Sequence, residues 1–133
     1  MKRLFMLDTN AVRTLLERRS PELDRWFCEE RCSISAIVAA EIGFGLERRR
    51  LSPARQQLVR DLLDVMPVEP FDRRAATVVG QLRSRLQASG TPLAAMDLLI
   101  AAHALAVQRT LVSDDRAFTA VPELVLAGLG QLG

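Results

Sequence analysis

Histidine occurs once in these 133 residues, cysteine twice, and aromatic side chains make up only 5% of the chain. Cys28 and Cys32 with the lone His103 cannot complete a zinc cluster, which needs further Cys or His ligands. With 49% hydrophobic residues but so few aromatics, the core must be built from Leu, Val, Ile and Ala, a mixture that suits helices packed on a sheet. No apolar run approaches the ~20 residues of a membrane span. The N-terminus lacks the long apolar stretch and small-residue cleavage site of a secretory signal. A cytoplasmic protein with reduced thiols and no membrane association is therefore expected. The net charge of +2 does not by itself announce nucleic-acid binding. A glycine-rich loop ending in Lys-Ser or Lys-Thr is also missing, which excludes a phosphate loop of that type.

What is present reads as one α/β domain over residues 1–133. Arg3 to Leu7 predicts a short buried strand, followed by a helix carrying Val12, Leu15 and Leu16 that stops at Arg18-Arg19 and Ser20-Pro21. A second helix is expected from about Pro21 through Phe27, a strand over Cys32 to Ser35, and a helix capped by Ser35 that carries Ile37, Val38, Glu41, Ile42 and Leu46. A helix from about Pro53 to Leu63 and a strand over Met66 to Phe71 follow, the strand at a sheet edge because Pro67 and Pro70 interrupt it. Asp72 can cap a long helix through Val79, Leu82 and Leu86 that ends at Ser89-Gly90-Thr91-Pro92. Ala94 to Val107 predicts a nearly all-apolar helix, Thr110 to Ser113 a strand, and Leu124 to Leu126 a weaker last strand. Alternation of strands and helices implies right-handed crossovers and a mostly parallel central sheet of about five short strands, covered by helices on both faces.

The acids are placed against this pattern. In open parallel sheets, ligands gather beyond the carboxyl ends of the strands, and Asp8, Asp114 and Asp115 all follow strands at such ends. Asp97 interrupts the apolar run Met96 to Ala102, and Glu41 interrupts Ala39 to Ile42. An ionised side chain in such surroundings is unfavourable without a compensating partner, and converging carboxylates raise one another's pKa values. A divalent cation relieves that repulsion. Oxygen donors alone favour magnesium or manganese, and phosphodiester hydrolysis is the natural chemistry.

Plainer readings compete at each position. Asp8 could bond local backbone amides, Glu41 could pair with an arginine, and Asp97 could cap its helix. His103, six residues beyond Asp97, reads as a packed core histidine rather than a general base. Trp26 and Phe27 read as packing rather than as a platform for an RNA base. Gly43 and Gly45 are expected to permit close helix packing. The cluster Arg48, Arg49 and Arg50, about two turns beyond Glu41, is the basic group most readily placed near RNA phosphates.

Four segments together resemble the PIN-domain ribonucleases of the VapC toxin type: MLDTN at Met6 to Asn10, SAIVAAEIGFG at Ser35 to Gly45, GTPLAAMDLLIAAHA at Gly90 to Ala104, and LVSDDRAF at Leu111 to Phe118. The resemblance spans nearly the whole chain. It implies a three-layer PIN-like domain and endoribonuclease activity with one or two Mg2+ or Mn2+ ions per site. It also implies RNA as substrate, with structured RNA such as tRNA as the family-level expectation, neutralisation by a small VapB-like antitoxin, and a homodimer. By that comparison Asp8, Glu41, Asp97 and Asp115 take the metal-binding and catalytic acid positions. Thr9, Asn10, Ser113 and Asp114 support them, with the fourth carboxylate open between Asp114 and Asp115 and Asp115 favoured. The alternatives are a catalytically silent PIN-like module that binds RNA or protein, and a metal-dependent phosphatase. The phosphatase would want a second acid where Asn10 stands.

Overall fold

Strand β1, Phe5–Leu7, is buried along its whole length although neighbouring side chains point to opposite faces, so both faces of the sheet are covered at its centre. The computed structural model describes residues 2–129. The two ends of the domain expected over 1–133, residue 1 and residues 130–133, lie outside the described residues. From β1 the chain passes through α1 (Thr9–Leu16) and α2 (Pro21–Cys28) to β2 (Cys32–Ser35), then through α3 (Ala36–Arg48) and α4 (Pro53–Val65) to β3 (Val68–Glu69). Two helices, α5 (Arg73–Ala88) and α6 (Ala95–Val107), lead to β4 (Thr110–Val112), and a short 3₁₀ segment, Arg116–Ala120, precedes β5 (Leu126–Ala127).

The strand order is β3-β2-β1-β4-β5 and every pairing is parallel. After β1 the chain builds one side of the sheet, then crosses to the other side to add β4 and β5. That reversal opens a crevice between the carboxyl ends of β1 and β4, where ligands of such sheets bind. The register pairs Leu7 with both Ile34 and Val112, which brings Asp8 and Ser113, just after β1 and β4, and Ser35, the last residue of β2, to one rim.

Local chemistry starts the helices where the sequence places them. Asp8, Ser20, Ser35, Ser52 and Asp72 each accept a backbone N–H at the start of a helix, and Pro21 and Pro53 occupy the first helical turn. Such caps are worth about 1 kcal/mol each. Gly90, with φ of 73°, closes α5 in the left-handed conformation that glycine adopts without strain. Trp26 lies flat on Phe5, ring centroids 3.9 Å apart, inside the main core, so this aromatic serves packing.

The structure departs from expectation in four places. β1 starts at Phe5 rather than Arg3, and β5 is displaced to Leu126–Ala127, leaving Leu124 as a core residue before it. β3 shrinks to two residues and does lie at the edge, as the prolines on either side require. Gly43 and Gly45 have open space where a Cβ would stand, so no close helix approach demands glycine there.

Candidate active site

Asp8 leaves β1 and caps α1, its Oδ1 accepting the Ala11 N–H at 2.7 Å while its side chain is almost fully buried. Bonding to a local amide therefore engages one carboxylate oxygen. Burial pushes the Asp8 carboxyl above the usual range, and the nearby Asp115 and Asp114 push it further; the Ser113 hydroxyl and the Ala11 amide oppose them. Asp97 sits in the first turn of α6, half-buried, and makes no capping bond; the N-cap position is held by Ala94, which has no polar side chain to cap with. Its carboxyl is also raised, first by burial and then by the charges of Asp115 and Glu41. Asp115 thus stands within electrostatic reach of both Asp8 and Asp97, and Glu41 within reach of Asp97.

Glu41 reaches the rim from α3, where its Oε1 accepts the Thr9 hydroxyl at 2.7 Å. The bond joins the residue after Asp8 to an acid 32 positions away. No arginine pairs with Asp8, Glu41, Asp97, Asp114 or Asp115 among the described residues; the ion pairs lie elsewhere. The arginine partner considered for Glu41 is therefore not present there. A cluster of neighbouring carboxylates left without cations holds excess negative charge in partly desolvated surroundings, a state that a bound cation stabilises.

Asp114 and Asp115 differ in engagement. Asp114 Oδ1 accepts the Leu129 N–H at 2.7 Å, tying this side chain to the segment after β5. Asp115 caps the 3₁₀ segment through the Ala117 N–H at 2.9 Å, and its own N–H donates to the Ser113 hydroxyl at 3.0 Å. Asn10 is exposed on the first turn of α1 and makes no side-chain hydrogen bond among the described residues. Among the described residues, no three acidic, His or Cys side chains stand close enough to enclose an ion by themselves. The arrangement is an open acidic rim rather than a closed cage.

Beside the rim, α1, α3 and α4 form a groove of about 330 Å³ whose lining includes Thr9, Glu41, Arg13, Arg49 and Arg55. Of the three arginines expected near RNA, only Arg49 lines it, while Arg48 and Arg50 are exposed outside it. Arg13 and Arg55 were not legible as site residues. The one available signal was the spacing of four between Thr9 and Arg13, which puts both on one face of α1. His103 is fully buried, its Nδ1 2.7 Å from the Ser35 hydroxyl and the Phe71 ring edge-on to it, so it belongs to the core.

Comparison with known proteins places these segments in context. The PIN domain family matches residues 5–124. The chain is 29% identical over 128 residues to "Ribonuclease VapC2" of Rickettsia felis, covering 92% of this chain and 96% of that protein. It is 33% identical over 103 residues to the "tRNA(fMet)-specific endonuclease VapC" of Salmonella typhimurium, covering 75% and 77% respectively. The crystal structure of DNA-bound VapBC from Salmonella typhimurium superposes with a TM-score of 0.84 at 29% identity, covering 96% of this chain and 99% of that one.

Proposed function

This chain belongs to the PIN-domain family, and on that premise we propose that it is the toxin of a type II toxin–antitoxin pair, an endoribonuclease of the VapC type that hydrolyses RNA phosphodiester bonds and is restrained by a small VapB-like antitoxin. The observation that carries the reading is the set of carboxylates from four separate segments, Asp8, Glu41, Asp97 and Asp115, that approach the strand-order reversal without arginine partners, with the Asp8 and Asp97 carboxyls raised first by burial and then by the neighbouring acids.

The donor set, oxygen only and strongly anionic, fits magnesium or manganese, one or two ions per site. When bound, such an ion supplies Lewis acidity toward a phosphoryl oxygen and lowers the pKa of water. Asp8 and Asp97 would hold it, with Asp115 and Glu41 completing the acidic field. The Ala11 amide fixes one Asp8 oxygen, and the Ser113 hydroxyl also favours the ionised carboxylate. Thr9 holds the Glu41 carboxylate toward the rim. Ser113 orients Asp115 through its backbone N–H. The charge of Asp115 bears on both Asp8 and Asp97 while that of Asp114 bears on Asp8 alone, which supports Asp115 as the fourth acid. Arg13 and Arg49 provide cationic forks for RNA phosphates along the groove that begins at Glu41, and Arg55, 3.5 Å from Glu17, lines the same wall. Structured RNA such as tRNA is the substrate class favoured by the relatives, and homodimerisation is part of the same reading, checked by sedimentation.

Purified protein should cut RNA with Mg2+ or Mn2+ present and stop when EDTA is added. Asp97→Asn should lower the rate by at least about a hundredfold, the scale for loss of one charge-stabilising group. Equal cleavage in excess EDTA would overturn the metal mechanism, and metal-supported binding of RNA without turnover would overturn the enzyme.

A further inference from the structure

Ser35 and His103 are both fully buried, and their hydrogen bond of 2.7 Å joins the residue that caps α3 to the middle of α6. Ser35 Oγ already accepts the Ile37 N–H at 3.0 Å, so its own proton is free to go to His103 Nδ1. With that orientation of the hydroxyl the imidazole proton lies on Nε2, which is buried and has no hydrogen-bond partner among the described residues. Glu69 and Asp72 are the charged groups near the ring, and burial outweighs them to keep the imidazole neutral.

The same two helices carry two of the acids. Glu41 follows Ser35 by six positions, and Asp97 precedes His103 by six. Each stretch spans roughly 9 Å of helix at 1.5 Å per residue. The two pairings run in opposite senses along α3 and α6, so they bracket the place where the helices meet: an attractive, directional contact at one end and two like charges at the other. Repulsion between Glu41 and Asp97 favours parting the helices, and the fully buried Ser35–His103 bond resists that motion.

Resting on the metal-nuclease reading, we propose that the Ser35–His103 hydrogen bond is a positioning device that sets the separation of Glu41 and Asp97 and so the affinity of the rim for a divalent ion. His103 touches neither RNA nor ion and acts through the two helices.

The test is direct Mn2+ binding, followed by electron paramagnetic resonance on the purified full chain, alongside the Mn2+ concentration giving half-maximal RNA cleavage. His103→Leu and Ser35→Ala should raise both the Mn2+ dissociation constant and that half-maximal concentration about tenfold. His103→Asn, which can keep a hydrogen-bonding atom near the Nδ1 position, and Ser35→Thr, which keeps the hydroxyl, should stay within about twofold of wild type. Leu23→Ala, a core truncation on α2 away from both helices, should lower thermal stability and leave Mn2+ affinity unchanged. Wild-type Mn2+ affinity in folded His103→Leu or Ser35→Ala would overturn the proposal, and so would an equal loss in Leu23→Ala. A wild-type chain that binds Mn2+ but cuts no RNA would overturn the nuclease reading alone, leaving the affinities to decide the positioning role. One that binds no Mn2+ would overturn both.

Discussion

At the scale of single residues, Asp8 and Asp97 carry the largest electrostatic cost. Both carboxyls are raised above the ordinary 3.8. A raised acid binds protons more readily in the native state, so its stabilising contribution is complete below 3.8 and is lost as pH rises through the native value. The metal-free protein at neutral pH therefore bears the cost in full. Asp8→Asn retains an oxygen for the Ala11 amide and removes the buried charge. Without metal it should melt roughly 2–5 °C above the parent at pH 7, with the difference closing by about pH 3. Its RNA cleavage should fall at least about a hundredfold. Melting curves across pH check the first outcome; an unchanged midpoint at pH 7 would mean that a partner already neutralises Asp8.

At the scale of elements, the starts of helices were legible because a cap is a local event. A side-chain oxygen reaches a backbone N–H two or three residues on, and Ser35 and Asp72 could be assigned from short windows. The end of the sheet was less legible. β5 pairs only through Leu126 and Ala127 with β4, and its position is set by that register rather than by its own apolar run, which begins at Leu124. Exposed caps and site-forming caps should separate in experiment. Ser52→Ala, at the start of α4, should cost about 1 kcal/mol in denaturant unfolding and leave metal affinity intact. Trp26→Ala removes the ring stacked on Phe5 and should cost ~3–5 kcal/mol. A much smaller loss would mean that the stack is not part of the cooperative core.

At the scale of the whole molecule, the proposed action of the acids as a unit rests on four segments that approach one rim. Mg2+ that binds only the native state should raise stability by about 2.7 kcal/mol at a hundredfold excess over its dissociation constant. The shift should disappear in the double variant Asp8→Asn with Asp97→Asn, which calorimetry with and without Mg2+ would read. A full shift in that variant would place the ion elsewhere.

The sequence alone determined the class of the protein. Its hydrophobic periods, caps and prolines specify a parallel sheet with helices between the strands, and charged side chains in apolar runs betray Glu41 and Asp97, because burial of charge is costly wherever the chain goes. What only the tertiary structure decided is which distant groups meet. The Thr9 bond to Glu41, the turn of Asp114 toward Leu129, the place of Arg13 and Arg55 beside the rim, and the Ser35–His103 link all join residues on separate elements or depend on loop geometry. Such pairings are fixed by strand order, register and helix packing, which are collective properties of the folded chain and leave no local signature at either partner.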